Sequence, residues 1–449
     1  MVFIQLIVVL IFILIGARIG GMGIAYAGAT GVIVLGFLGA NVNPAKGIPW
    51  DVLGVIMAVI SCVAALEAAG GLELLVMHSE RLLRKHPDRI TFYAPLVTFF
   101  MTVFCGTGHV AFATLPVIAE VAKEQKVRPS RPLTIAAVAS QIGICASPIS
   151  AATIAMVSIL APDGITYPVI VGITVVVCLI GVLGGAVVAS RTGVDLEKDP
   201  IYQERKAQGL VTLRGKGKYE IVPRAGTSLI IFASAIVLVM VYAAAITKVS
   251  NPPLPRAAAI MAVMMAAGLV IVLCCHVKVD KIATQATFRS GMNAALCVLG
   301  VAWLGNTFVE SNIATIKAAG SGVIQAHPWL LAVVLFFGSA LLYSQAATAI
   351  TFMPVAAALG LPGSVLLASY AACSGLFFLP TYPTTVAAVG MDDTGTTRLG
   401  RFVVDHPFQI PGIATIAIAV VVAYGVTALL LCDRMRWAQR RVYGSAAGM

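Results

Sequence analysis

Residues 91–122 read TFYAPLVTFFMTVFCGTGHVAFATLPVIAEVA, an apolar run interrupted at its middle by Gly106-Thr107-Gly108. As one helix it would measure about 48 Å, far beyond the ~30 Å of bilayer hydrocarbon. Arg81, Arg84, Lys85 and Arg89 precede it, and Lys123, Lys126, Arg128 and Arg131 follow it. Short loops rich in Lys and Arg stay in the cytoplasm, so both ends of the run belong on that side. The run is expected to enter the membrane, turn at its glycines and return as a re-entrant hairpin.

Its neighbours then have fixed directions. Residues 132–161, interrupted by Ala146-Ser147-Pro148-Ile149-Ser150, cross outward as a broken helix. Residues 166–190 return to the hydrophilic stretch 191–224, which carries eight Lys and Arg and is cytoplasmic as this path requires. Uninterrupted spans are expected over 2–16, 22–40, 50–70, 166–190, 227–246, 257–275, 289–309 and 412–432. A second hairpin, 327–358, is interrupted at Ser344-Gln345 and dips from outside. A second broken helix, 364–390, is interrupted by Leu379-Pro380-Thr381-Tyr382-Pro383. This path places 22 of the 30 Lys and Arg inside; the basic tail, 433–449, falls outside, against the bias.

Each half then holds five spans and one hairpin, and an odd number of spans inverts the second half relative to the first. The fold expected is an all-α polytopic membrane protein built as an inverted repeat, each half having five transmembrane helices, one broken at mid-membrane, plus a re-entrant helical hairpin. The first repeat covers 1–190, a cytoplasmic linker loop 191–224, the second repeat 225–432, and the tail 433–449. An offset of 238 lays Ala113-Thr114-Leu115-Pro116-Val117 on Thr351-Phe352-Met353-Pro354-Val355, and an offset of 232 lays Gly143 and Pro148 on Gly375 and Pro380. These matches agree with the topology drawn from charge.

Composition excludes other classes. The 449 residues are 59% hydrophobic and 11% charged, against roughly 25% charged in soluble domains. A mean hydropathy of +0.96 rules out a cytosolic globule. The net charge of +11 is scattered in short clusters between apolar runs, so the partner it implies is a lipid bilayer and not a nucleic acid. Nine cysteines, most inside apolar runs and none in C-x-x-C spacing, give no disulfide framework or zinc site. Val2 to Ile15 lacks a charged leading region and reads as a retained first span.

The breaks carry the chemistry. Interrupted backbone at membrane depth leaves amide groups unpaired, at several kcal/mol each, unless protein or a wet cavity surrounds them. Half-helix N-termini direct partial positive charge at a bound anion, while exposed carbonyls and hydroxyls suit a small cation or further substrate oxygens. The substrate-binding candidates are Gly106, Thr107, Gly108 and His109 in the first hairpin, and Ser147, Pro148 and Ser150 in the first broken helix. Ser344, Gln345 and Thr348 come from the second hairpin, and Thr381, Tyr382, Pro383, Thr384 and Thr385 from the second broken helix. Taken singly, each break is equally a packed kink whose hydroxyls bond their own helix; four breaks in paired positions favour a common site. His109 suits a donor to a carboxylate, a proton relay or a structural hydrogen bond. No nucleotide loop, zinc-protease helix, nucleophile elbow or paired intramembrane carboxylate is present, so the reading is a secondary transporter and not an enzyme.

At these same breaks the sequence resembles the anaerobic C4-dicarboxylate transporter (Dcu, DcuA/DcuB) family, within the wider ion transporter superfamily. The resemblance rests on Gly106-Thr107-Gly108-His109, on Ala113 to Glu120 and on Ala146-Ser147-Pro148-Ile149-Ser150. It continues through Val301-Ala302-Trp303-Leu304-Gly305, His327-Pro328-Trp329, Tyr343 to Ala349, Leu379 to Pro383 and Met391 to Arg398. It implies a multi-pass carrier of the bacterial cytoplasmic (inner) membrane for fumarate, succinate, malate and aspartate, exchanging one dicarboxylate for another in anaerobic metabolism. It also implies a homodimer, with two hairpin tips and two broken helices around the substrate. No cofactor is expected; a coupling sodium ion belongs to the alternative of sodium- or proton-coupled uptake. Another alternative makes the transporter double as a partner of a membrane sensor kinase through 191–224 or 391–401.

Overall fold

The computed structural model describes residues 1–19, 22–48, 50–211, 222–245, 253–342, 344–378, 382–398 and 406–446, which contain helices and no strand. Among them, five helices are long and apolar enough to cross a bilayer: Ser130–Asp163, Tyr167–Ser190, Ala225–Tyr242, Ala257–Cys275 and Gln409–Leu430. The expected broken helix 132–161 therefore passes as one span although its backbone leaves the helix at 147–150.

Val2–Ile19 covers the span expected over 2–16, whereas Gly23–Phe37, expected to reach residue 40, is only about 22 Å long. Residues 289–309 lie inside a single helix of 41 residues, Ala286–Ala326. The span expected over 50–70 ends at Ala68, and the chain bends by 70° into a further helix, Gly71–Lys85. Gly70 makes that bend with φ +78, a conformation that suits glycine. Gly71–Lys85 buries Val76, Glu80 and Leu83 while Arg81 and Lys85 stay exposed, so the basic segment read as a loop is an amphipathic helix.

Two helix–turn–helix units occupy the expected hairpins. In the first, Ile90–Cys105 and Ala111–Glu124 pack on each other, and Glu124 at the far end pairs with Arg84 at 2.6 Å, six residues before the unit begins. In the second, Leu330–Leu342 and Gln345–Ala358 pack on each other, and Gln325 donates to the carbonyl of Leu359 at 3.0 Å. Each unit thus begins and ends in one place.

Ser130–Ala146 buries fifteen of its seventeen residues and is the centre of the molecule. It runs beside the first arm, with Thr98 donating to Ala136 O at 2.8 Å and Ser147 to Val103 O at 2.8 Å. Gly143 permits this, since a Cβ there would stand 3.1 Å from Phe99 O. In the second unit the arm Leu330–Leu342 packs in the same way on the 3-10 stretch Tyr370–Phe377, where Gly375 N donates to Ser339 at 2.9 Å and a Cβ would stand 2.6 Å from Phe336 O. Outside these units, Trp50–Ala68 packs on Arg256–Cys275 and Gly23–Phe37 on Ala286–Ala326.

The expected linker, 191–224, contains the short helix Pro200–Ala207, capped by Asp199. Asp199 pairs with Arg128, and Arg205 donates to Asp393 O at 2.8 Å. Lys123 bridges Glu120 at 3.1 Å and Asp393 at 3.0 Å. The segments around 84, 124, 128, 199 and 393 therefore meet at one end of the molecule. The expected basic tail continues the last helix, Gln409–Ala446, without a break in its backbone.

Candidate functional site

Four helices begin inside the molecule, one at each expected break. At the first, Gly106 ends Ile90–Cys105 with φ +74, giving its amide to Thr102 O at 2.8 Å, and packs on Ile149. Thr107 then caps the turn, accepting from His109 N at 3.4 Å, and its hydroxyl lies 3.0 Å from His109 Nδ1. Gly108 lies so close to the central helix that a Cβ would stand 2.8 Å from Ser140 O. Half-buried His109 has its ring centroid 5.5 Å from that of Phe112 and 6.4 Å from that of Tyr382, which joins the first hairpin tip to the second broken helix.

The second break is held by its own hydroxyls. Ser150 caps Ala151–Leu160 by accepting from Thr153 N at 3.2 Å, and donates back to Ile144 O at 2.6 Å. Ser147 donates to Val103 O, and Pro148 O accepts from Tyr167. Ser147, Pro148 and Ser150 are buried, and both serine hydroxyls are engaged within the protein. At this break the polar groups shape the gap.

In the second unit, Ser344 caps Gln345–Ala358, accepting from Ala347 N at 3.2 Å, and its carbonyl accepts from Thr348 at 2.7 Å. Tyr382 stands at the start of Pro383–Met391, where its carbonyl accepts from Thr385 at 2.6 Å; Thr384 and Thr385 are fully buried and Pro383 is exposed. Thr381 lies outside the described residues.

These separate starts are tied together by a residue that reading the breaks alone passed over. Gln141, on the central helix, donates from Nε2 to Thr384 Oγ1 at 3.0 Å, and its carbonyl O accepts from Gln345 Nε2 at 2.9 Å. The first broken helix thereby holds both the second hairpin tip and the second broken helix. Its side-chain Oε1 is buried and has no hydrogen-bond partner among the described residues. The signal was available, because an amide in an otherwise apolar spanning stretch is costly and faces other protein groups. Thr153, which bonds Cys145 O at 3.2 Å and stands 3.3 Å from the Tyr370 hydroxyl, is a second such residue.

The structure thus brings together the first hairpin tip, the central helix, the second hairpin tip and residues 382–385. No Lys or Arg lies among the candidate residues, so their positive potential comes from helix N-termini. Neutral hydroxyls and amides surround them. That combination can hold an anion reversibly without a fixed countercharge. Among the described residues, no cluster of His, Cys, Asp and Glu could hold a metal ion.

Residues 1–431 match the family model described as anaerobic C4-dicarboxylate membrane transporter. The chain is 50% identical over 431 residues to the C4-dicarboxylate transporter DcuA of Wolinella succinogenes, covering 95% of this chain and 99% of that protein. It is 49% identical over 430 residues to DcuA of Escherichia coli, covering 95% and 98%. It is 34% identical over 436 residues to the anaerobic C4-dicarboxylate transporter DcuB of an Escherichia coli strain, covering 93% and 96%. An unbroken match of this length, to relatives that are carriers, leaves no room for an enzyme reading, and the chain belongs to the anaerobic C4-dicarboxylate membrane transporter family.

Proposed function

We propose that this multi-pass membrane protein exchanges one C4-dicarboxylate for another across the bacterial inner membrane by alternating access, with fumarate, succinate, malate and aspartate as the substrates. The observation that carries the reading is the set of helix starts at 107, 150, 344 and 382, linked through Gln141, with no cationic side chain among them. A dianion held only by dipoles, hydroxyls and amides is bound weakly enough to leave, which a carrier requires. Exchange of one dianion for another moves no net charge. It therefore avoids the ~2.3 kcal/mol per charge per 100 mV that uncompensated uptake meets.

The architecture we infer is the inverted repeat with two re-entrant hairpins. It is supported by each unit's ends lying together and by the gathering of the basic segments at one end. It is supported also by matched cross-packing, in which Ala111–Glu124 rests on Pro383–Met391 and Gln345–Ala358 on Ala151–Leu160. In this reading the moving unit is the pair of hairpins with the two broken helices, and the remaining helices form the frame, in a homodimer.

Counterflow in liposomes tests the function. Purified protein should accumulate labelled fumarate only when unlabelled succinate is inside, whether or not sodium or a pH gradient is present. Accumulation in empty vesicles driven by either ion gradient would replace exchange with coupled uptake.

A further inference from the structure

A cavity of about 650 Å³ lies between the amphipathic helix Gly71–Lys85 and the hairpin arm Ile90–Cys105. Leu75 and Leu82 form one wall, Val97, Phe100 and Phe104 the other, and Pro148 at the first broken helix closes the inner end. The wall residues from Tyr93 to Phe104 span about 16 Å of helix. Leu82 is 40% and Phe100 51% exposed, so the cavity opens on the apolar surface of the molecule.

Its walls are apolar side chains whose few polar groups are already engaged, which does not suit a dicarboxylate. His78 bonds its own helix at Leu74 O (2.7 Å), as Ser79 does at Leu75 O (2.8 Å), and the Tyr93 ring stacks on His86 at 5.0 Å. What such walls accept is hydrocarbon. A lipid tail, however, gains little by leaving one hydrocarbon surrounding for another, so preference must come from the headgroup.

The charge needed is at the mouth. Leu75, His78 and Leu82 share one stripe of the helix, whose next position is Lys85, and Arg89, the N-cap of the hairpin arm, stands one turn before Tyr93 on the arm's own lining stripe. Both are exposed, and Arg89 pairs with the surface carboxylate of Asp88 at 3.8 Å. Paired basic side chains at a membrane surface attract anionic lipid. We propose that this groove holds one acyl chain of an anionic phospholipid whose phosphate sits at Lys85 and Arg89. The chain then lies between a hairpin arm and its neighbours and touches Pro148, beside the bond from Ser147 to Val103.

The test is lipid retention by the purified full chain, read by native mass spectrometry after exchange into detergent with equal amounts of dioleoylphosphatidylglycerol or dioleoylphosphatidylcholine. The expected result is about tenfold preferential retention of the phosphatidylglycerol, falling to near parity in K85Q/R89Q. L82W, which fills the exposed rim, should retain neither lipid, and I236W, on the helix Ala225–Ala245 that also lines the cavity, should repeat this if L82W fails to fold. Equal retention of both lipids by the unaltered protein, or an unchanged preference in K85Q/R89Q, overturns the proposal. Loss of a dimer with unaltered lipid in L82W also overturns it and assigns the groove to a second copy.

Discussion

The two helix–turn–helix units solve one problem with different chemistry. The first turns through Gly106, Thr107 and Gly108, with a left-handed glycine and a second glycine pressed on Ser140 O. The second reaches its next helix through a single serine cap, Ser344, and at the position matching Gly108 it carries Ala346. Their broken helices differ as well. The first is sealed by Ser147 and Ser150, the second drawn into eight residues of 3-10 helix whose Ser374 and Gly375 leave helical geometry. Close backbone approach thus occurs in both units, at the tip and arm of the first and at a tightened 3-10 stretch of the second. Gln141, which ties the units together, has as its counterpart Cys373, a fully buried side chain that cannot replace an amide. Two units that share a helix–turn–helix path do not share their work.

The largest expected effect comes from the tips. Gly108→Ala drives a methyl against backbone, and overpacking of that kind costs about 1–3 kcal/mol. Counterflow should fall below about a tenth of normal at unchanged protein level, whereas Ala346→Gly keeps most of it. Equal effects at the two tips would erase the difference between them. Next comes the link: Gln141→Leu leaves Thr384 Oγ1 without its donor, a loss of about 1–3 kcal/mol. Exchange should drop about tenfold, and Cys373→Ala should change it less than about twofold. A drop of similar size in both variants would show that the hub is not confined to the central helix.

The smallest effects sharpen what the units have in common. Ser147→Ala removes one hydrogen bond between a hairpin arm and its broken helix and Ser339→Ala two, each worth about 1 kcal/mol. Thermal midpoints should fall by about 1 °C in Ser147→Ala and by about twice that in Ser339→Ala. A large fall in only one of them would mean that the two arms are not held equivalently.

Breaks at 106–108 and 147–150 were legible because Gly-Thr-Gly and Ser-Pro-Ile-Ser interrupt apolar runs that are too long or too polar to be one plain helix. The helix Gly71–Lys85 was not, because its four-residue basic signature served as evidence for a loop while Leu75, Val76 and Leu83 recurred at helical spacing. Ala286–Ala326 was hidden for a similar reason: its apolar part ends near 309, and the Gly, Ser and Lys that follow suggest a stop, yet the helix runs on. At the site, hydroxyl-rich breaks were visible but their duties were not. Ser147 and Ser150 spend their hydroxyls on neighbouring carbonyls, a matter of distance in space that local sequence does not encode. Gln141 escaped because it stands inside a helix and not at its end.

The 41-residue helix Ala286–Ala326 extends for about 61 Å, twice the thickness of bilayer hydrocarbon, and touches Gly23–Phe37, Trp50–Ala68 and Gln345–Ala358 along its length. Such a rod is a natural ruler. Spin labels near its two ends define a baseline in the same molecule, and distances from that baseline to a label at an exposed position of Pro383–Met391 or of Gly71–Lys85 read displacement relative to the rod. A carrier's stroke can then be surveyed against its own scaffold, in lipid, with no external reference.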